Sequence, residues 1–194
     1  MQQNIPDRDQ PGKNIPDASN VVDNSQAAPV NSPYTNEEWK ELLETPVEIC
    51  RAMMAVSPSG VIGSVQEVKA MRTCFKETLQ TTTSPTLQAM RQQLQGKEQL
   101  ESLWNTAGYA FRDRWDAANV RQTALASCQQ CVTLLKKVPS EDALAYKEFI
   151  YSAAQRVASA AKEGGVLGFH GQAISEAEQT LLNDISNTLG LPRA

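Results

Sequence analysis

The sequence predicts an all-α fold, a bundle of about six to eight helices preceded by an N-terminal tail. Three observations support this prediction. Apolar residues recur every three or four positions, helix-capping motifs stand before several of these stretches, and no segment alternates polar and apolar residues as a half-buried strand does. The 194 residues are enough for one ordinary domain and a tail.

Four stretches begin with the pattern of a capping box, in which a Ser or Thr and a Glu three residues later each bond the other's backbone N–H. These boxes start at Thr35, Thr45, Ser64 and Ser175. Together with the apolar periodicity they predict helices near 36–44, 46–56, 64–80, 86–95, 98–119, 121–138, 141–163 and 176–189, where 98–119 and 121–138 are either two helices or one long bent helix. Gly190 is the expected C-cap of the last helix.

A Gly-Val-(Ile/Leu)-Gly sequence occurs twice, at 60–63 and at 165–168. Each copy follows one predicted helix and precedes another that starts with a Ser cap. One explanation is a pseudo-twofold repeat of helical hairpins packed as a bundle. The other is a coincidence of two glycine-containing loops.

The N-terminal tail, residues 1–34, holds five of the ten prolines and is rich in Asn, Asp, Gln and Ser. Such a composition buries too little apolar surface to offset the entropy of ordering. We therefore expect a disordered tail at 1–34 and a single helical domain at 35–194. The motif Asn-Ile-Pro-Asp occurs at 4–7 and again at 14–17, either as a pair of docking motifs or as a duplication in an unconstrained segment.

The charge balance and hydropathy exclude some classes of partner. The net charge of -4 and the pI of about 5.1 disfavour binding to a phosphate backbone, so no nucleic acid is expected. We also expect no membrane contact and a cytoplasmic location, because no apolar run approaches a membrane span and no secretory signal is present. Reduced thiols are the expected state of Cys50, Cys74, Cys128 and Cys131.

A loop with four glycines in eight residues is the most unusual feature of the chain. It lacks the Gly-Lys-Ser/Thr of a phosphate-binding loop, and no strand precedes it as a dinucleotide fingerprint requires. We interpret it either as a tight turn whose apolar side chains enter the core or as an apolar loop that docks a partner. The candidate interaction loop consists of Gly164, Gly165, Val166, Leu167, Gly168, Phe169, His170 and Gly171.

Two further features resemble chemical sites. Cys128 and Cys131 form a CxxC motif inside a predicted helix, but a structural zinc site needs a second pair or added histidines. We therefore interpret them as small buried residues, with zinc or redox chemistry as the alternative, and they are only weak candidate metal ligands. His170 is the only histidine, and we expect a solvated or turn-stabilising residue there. No catalytic set is predicted and no cofactor is expected.

The runs at 160–169 and 174–178, with an earlier run at 55–63, resemble the signatures of an uncharacterised family of small, Ala-rich, all-helical bacterial proteins, cyanobacterial ones among them. The resemblance covers roughly residues 39–190 and departs from the family pattern at His170, where glycine is expected. It implies a cytoplasmic helical protein and supplies no activity. The chain is more distantly similar to TerB-like tellurite-resistance domains, although Gly164-Gly165 stands where that pattern has Asp-Gly.

These features together predict a non-enzymatic helical protein that acts through protein–protein interaction or self-association. The alternative is a TerB-like metal- or small-molecule-binding stress-response protein, in which Cys128, Cys131 and the glycine loop would form the site.

Overall fold

The computed structural model describes residues 27–57, 60–94, 116–160 and 174–192, and the side chains of residues 60–64 fall outside that description. These ranges contain no strand, and the predicted all-α fold is confirmed. The helices are α1 (Asn36–Val56), α2 (Gly60–Thr81), α3 (Pro85–Gln93), α4 (Ala117–Leu134), α5 (Ser140–Ala160) and α6 (Glu176–Leu189). A 3-10 turn, Leu135–Lys137, follows α4.

The helices pack around α1, which contacts both α4 and α5. α2 lies along α5, α3 bridges α2 and α5, and α6 packs against α4 and α5. The apolar face of each helix joins one continuous core, as expected when amphipathic helices bury their apolar stripes against each other. None of the helices in the described ranges is both long and apolar enough to cross a membrane.

The start of α1 forms as predicted, but its predicted break does not. Thr35 Oγ1 accepts a hydrogen bond from the Glu38 N–H (3.2 Å), and the Glu38 carboxylate accepts one from the Thr35 N–H (2.9 Å). The prediction of a second helix starting at Thr45 is wrong, because α1 runs through Pro46 without interruption. The Thr45 hydroxyl donates to the Glu41 carbonyl (2.7 Å), a bond that Thr makes inside a helix rather than at a cap.

A cross-helix hydrogen bond explains how α1 tolerates an internal proline. Pro46 has no N–H, so within the helix it leaves the Leu42 carbonyl four residues earlier without its usual donor. The Tyr146 hydroxyl on α5, a fully buried side chain, donates to this carbonyl. The contact replaces the missing intrahelical bond and attaches α1 to α5 at the same point.

Two other predicted boundaries are corrected. α2 begins at Gly60, so Ser64 and the first Gly-Val-Ile-Gly sequence lie inside the helix, and the prediction of a helix that starts at Ser64 is wrong. The predicted helix 98–119 does not continue to its predicted end: the Asp116 carboxylate accepts the Ala118 N–H (3.0 Å) and starts α4 there. The rest of that predicted helix, and the second glycine sequence at 165–168, lie outside the described residues.

The predicted α6 is confirmed at both ends. Ser175 and Glu178 form the reciprocal capping box, with the Glu178 carboxylate accepting the Ser175 N–H at 2.8 Å. Gly190 terminates the helix in the left-handed conformation (φ +67°), which glycine adopts without steric cost.

Residues 27–34, assigned by the sequence to the tail, pack against the helices. Gln93 Nε2 donates to the Ala27 carbonyl (3.2 Å), and the Ala28 N–H donates to Asn36 Oδ1 (2.9 Å). Tyr34 is buried and stacks on Trp39, with the ring centroids 6.2 Å apart. The packed part of the chain therefore includes residues on the N-terminal side of α1, and residues 1–26 lie outside the described ranges.

Candidate functional site

α2 and α5 lie side by side and leave a groove of about 730 Å³ on the surface of the bundle. Beneath it the two helices are held together by Phe75 and Phe149, which pack edge to face with centroids 4.9 Å apart. Small side chains among its lining, those of Ala70, Ser152 and Ser159, leave space between the two helices in the described part of the chain. Polar side chains on its walls include Lys69, Thr73, Thr78, Ser152, Gln155 and Arg156.

Positive charge is concentrated on a face of α2 that adjoins the groove, where Lys69 is the member that also lines it. Lys69, Arg72 and Lys76 follow one another at spacings of three and four, so they share a face of α2. All three are exposed, and no carboxylate of the described residues forms an ion pair with them.

One cation on the opposite wall is already paired. Arg156 Nη1 on α5 donates to Glu77 Oε2 on α2 (2.6 Å), and this hydrogen bond is the main cause of a raised pKa for the Arg156 guanidinium. The pair ties the two walls together across the groove. Since both side chains are about half exposed, its contribution to stability is on the order of 1 kcal/mol or less.

Cys74 lies at the floor of the groove and is fully buried. Its Sγ lies 4.0 Å from the Thr78 hydroxyl, and burial raises the pKa of the thiol. Burial also raises the pKa of Cys50 well above its ordinary value, and the neighbouring Cys74 adds to that shift. Because the thiolate is the reactive form, both residues are poor nucleophiles at neutral pH.

The CxxC residues lie on the inner face of α4. Cys128 and Cys131 have no exposed surface, and burial raises the pKa of Cys128 to about 12 and that of Cys131 still further. Neither forms a disulfide. Within the described ranges, no three His, Cys, Asp or Glu side chains converge in a way that would hold a metal ion.

The candidate interaction loop, Gly164 to Gly171 with His170, lies outside the described residues. The nearest described residues on its two sides are Ala160, at the end of α5, and Ile174, just before α6. Both line the groove. The chain therefore leaves and re-enters the described structure at this groove.

A second polar cluster joins the starts of α3 and α5. The buried Asp142 carboxylate accepts hydrogen bonds from the Ser84 hydroxyl, the Thr86 N–H (3.2 Å) and the Thr86 hydroxyl (2.6 Å). Ser84 also caps α3 by accepting the Leu87 N–H (3.2 Å). With three donors bound, the carboxylate connects two helix starts and is best described as a structural joint.

A mainly apolar cleft of about 410 Å³ lies beside this joint, between residues 29–34 and the bundle. Tyr34 lines it, and burial raises the pKa of its phenol to about 12, opposed by the nearby Thr86 hydroxyl. The Tyr34 hydroxyl itself is enclosed and has no hydrogen-bond partner among the described residues. The α2–α5 groove is larger and carries more polar side chains than this cleft, so it is the stronger candidate site.

Sequence reasoning missed both the groove and the joint. The spacing of Lys69, Arg72 and Lys76 is a readable signal for a basic helix face. No comparable signal exists for the joint, because Ser84 and Asp142 are 58 residues apart in the chain.

Comparison of this chain with protein families, with curated proteins and with solved structures finds no match. The α2–α5 groove is therefore the feature on which a functional proposal rests.

Proposed function

We propose that this chain is a non-enzymatic helical protein that acts by binding another protein through the α2–α5 groove. The observation that carries the proposal is the groove of about 730 Å³ that the described residues of two helices line. Grooves between packed helices are a recurrent site for a helical or extended segment of a partner.

The dimensions of the groove suit a short segment. Its lining on α2 extends from Gln66 to Thr78, which corresponds to about 18 Å at a rise of ~1.5 Å per residue. A partner helix of about three turns has the same length.

The walls are held in place before any partner arrives. The Phe75–Phe149 contact fixes the spacing of α2 and α5 from below, and the Arg156–Glu77 pair links them at the surface. A preformed surface loses less conformational entropy on binding than one that must order first. This favours a role in recognition for the groove.

The test is to fill the groove and measure what is lost. Ser152→Trp places a bulky side chain in the groove, and Gln130→Trp places the same side chain on the exposed surface of α4. Full-length wild-type and variant proteins are used as baits, and bound proteins are quantified by mass spectrometry. We expect a reproducible partner that Ser152→Trp loses and Gln130→Trp retains, with melting temperatures confirming that both variants fold.

The proposal is wrong if wild type and Ser152→Trp retain the same proteins in the same amounts. It is equally wrong if the wild-type chain binds no protein at all, its own copies included.

A further inference from the structure

We propose that the α2–α5 groove, together with the adjoining basic face of α2, binds a short acidic segment of a partner protein. This inference rests on the proposed function and adds the chemistry of the partner. The basic face of α2 is defined by Lys69, Arg72 and Lys76.

The charge on this face is opposite to that of the whole chain. Acidic residues outnumber basic ones by 22 to 18 overall, whereas residues 68–76 contain three cations and no Asp or Glu. Like charges three and four positions apart on a helix repel each other and destabilise it. A carboxylate-bearing partner would relieve that repulsion, so the arrangement favours an acidic ligand.

Several other cations of the bundle are paired within the fold. Lys137 pairs with Glu38, Arg121 with Asp184 and Arg156 with Glu77, each joining separate parts of the chain. Lys69, Arg72 and Lys76 have no such partner in the described ranges. Their charge is therefore available to an incoming molecule.

The spacing of the cations favours a peptide over a small anion as the ligand. Lys69 and Lys76 are about 10 Å apart along the axis of α2, at ~1.5 Å per residue. A row of cations at this spacing matches carboxylates distributed along a peptide, whereas one phosphate or small organic acid needs donors that converge on a point. The net charge of -4 disfavours a nucleic acid, which would bring its whole phosphate backbone against the chain.

The groove next to this face supplies the remaining contacts. Thr73, Ser152 and Gln155 provide hydroxyl and amide groups for hydrogen bonds, while Ala70 and Ala160 are small and permit close approach. A polar rim with direct hydrogen bonds beside small apolar positions is typical of a transient protein interface. The basic face would then select the partner and accelerate its association.

The test is a selection of random 12-residue peptides displayed on phage, with the full-length protein as bait. The charge-reversed bait is Lys69→Glu/Lys76→Glu, and the matched control is Lys136→Glu/Lys147→Glu, which makes the same charge change away from the groove. Lys69→Gln/Lys76→Gln replaces the reversed bait if that variant does not fold. Selected peptides are then synthesised and their affinities measured at low and at high salt.

We expect the wild-type bait to enrich peptides rich in Asp and Glu. Their affinity should fall by roughly tenfold or more with Lys69→Glu/Lys76→Glu, should weaken with added salt, and should be retained by the control. Selected peptides with no acidic enrichment, lost nevertheless on Ser152→Trp, would overturn the acidic partner and leave the proposed function standing. Failure to select any peptide, with no partner in the groove-filling experiment, would overturn both.

Three other outcomes would also overturn this inference. Equal loss of affinity in the control would show a non-specific response to net charge. A labelled single-stranded oligonucleotide that binds the basic face in preference to the peptides would make the ligand a nucleic acid. Self-association in solution that disappears with Lys69→Glu/Lys76→Glu would make the occupant a second copy of this chain.

Discussion

The two sides of α5 use polar residues in opposite ways. Toward α1 and α3 the side chains are buried, and Tyr146 and Asp142 each bind a specific group on the neighbouring helix. Toward α2 the side of α5 above the Phe75–Phe149 contact opens into a groove lined by hydroxyls, amides and cations. The same helix therefore holds the fold together on one side and lines a polar groove with α2 on the other.

The contrast separates positions where substitutions should affect stability from positions where they should affect binding. A polar group that is buried and paired leaves its partner unsatisfied when it is removed, which costs about 1–3 kcal/mol. An exposed polar group is solvated in either case, so its removal usually changes stability by about 0.5 kcal/mol or less. Substitutions at buried and at exposed polar groups test this division.

The largest expected difference in the free energy of unfolding is between substitutions at two positions of α5 that lie one turn apart. Phe149→Ala removes a buried ring that packs against Phe75 and Tyr146, and should lower the free energy of unfolding by about 3–5 kcal/mol. Ser152→Ala, one turn further along and facing the groove, should change it by about 0.5 kcal/mol or less. Chemical denaturation of both variants measures the two values, and similar losses would abolish the distinction between the two sides.

The second-largest loss of stability should follow when the buried carboxylate that connects α3 and α5 is removed. Asp142→Ala leaves the Ser84 hydroxyl and two donors of Thr86 without their acceptor, and we expect a loss of about 3 kcal/mol. Asp142→Asn keeps one carbonyl oxygen at the site and should cost less. The measurement is urea denaturation at neutral pH, and a loss below about 0.5 kcal/mol for Asp142→Ala would show that the joint does not stabilise the fold.

A smaller but more specific effect concerns the proline of α1. Tyr146→Phe removes the hydroxyl that binds the Leu42 carbonyl and should destabilise the chain by about 1–3 kcal/mol. Pro46→Ala restores an N–H that can bond the same carbonyl. Tyr146→Phe should therefore cost less in the Pro46→Ala background, by about 1 kcal/mol in a double-mutant cycle. Additive effects would show that the hydroxyl does not replace the missing intrahelical bond.

These contacts also explain how much of the fold was predictable. The limits of α6 followed from local signals, because Ser175, Glu178 and Gly190 act within their own turns. The predicted break at Thr45 was wrong because the local pattern matches a helix start, while the Tyr146 hydroxyl that supports a continuous α1 comes from 104 residues away. Local patterns therefore specify helix ends, but they do not contain the tertiary contacts that override them.

The candidate site was less predictable than the fold for the same reason. The three cations of α2 are evident from their spacing, but the groove exists only because α2 pairs with α5, far along the chain. The residue set that the sequence favoured, Gly164 to Gly171, lies outside the described residues, although Ala160 and Ile174 place its two flanks at the groove. The charge pattern lies within one short stretch of sequence, whereas the cavity depends on the packing of two stretches that are far apart in the chain.

The smallest expected effect concerns Glu44, a half-buried carboxylate on α1. Burial is the main cause of its raised pKa; Lys40, with Nζ 3.8 Å from Glu44 Oε1, opposes the shift, and Glu41 adds to it. A raised folded-state pKa means that the fold favours the protonated form. The stabilising contribution is therefore complete below the ordinary pKa of 4.5 and is lost as the pH rises through the raised value.

Glu44→Gln removes this titration, so the variant should melt at a higher temperature than wild type at neutral pH. The difference should shrink as the pH falls through the raised pKa of Glu44 and should vanish below its ordinary value. Glu148→Gln, at an exposed position of α5, is the control for the change in net charge. The melting temperatures of the variants and of wild type are measured across this pH range. A variant less stable than wild type at neutral pH would mean that the Lys40–Glu44 ion pair outweighs the cost of burying the carboxylate.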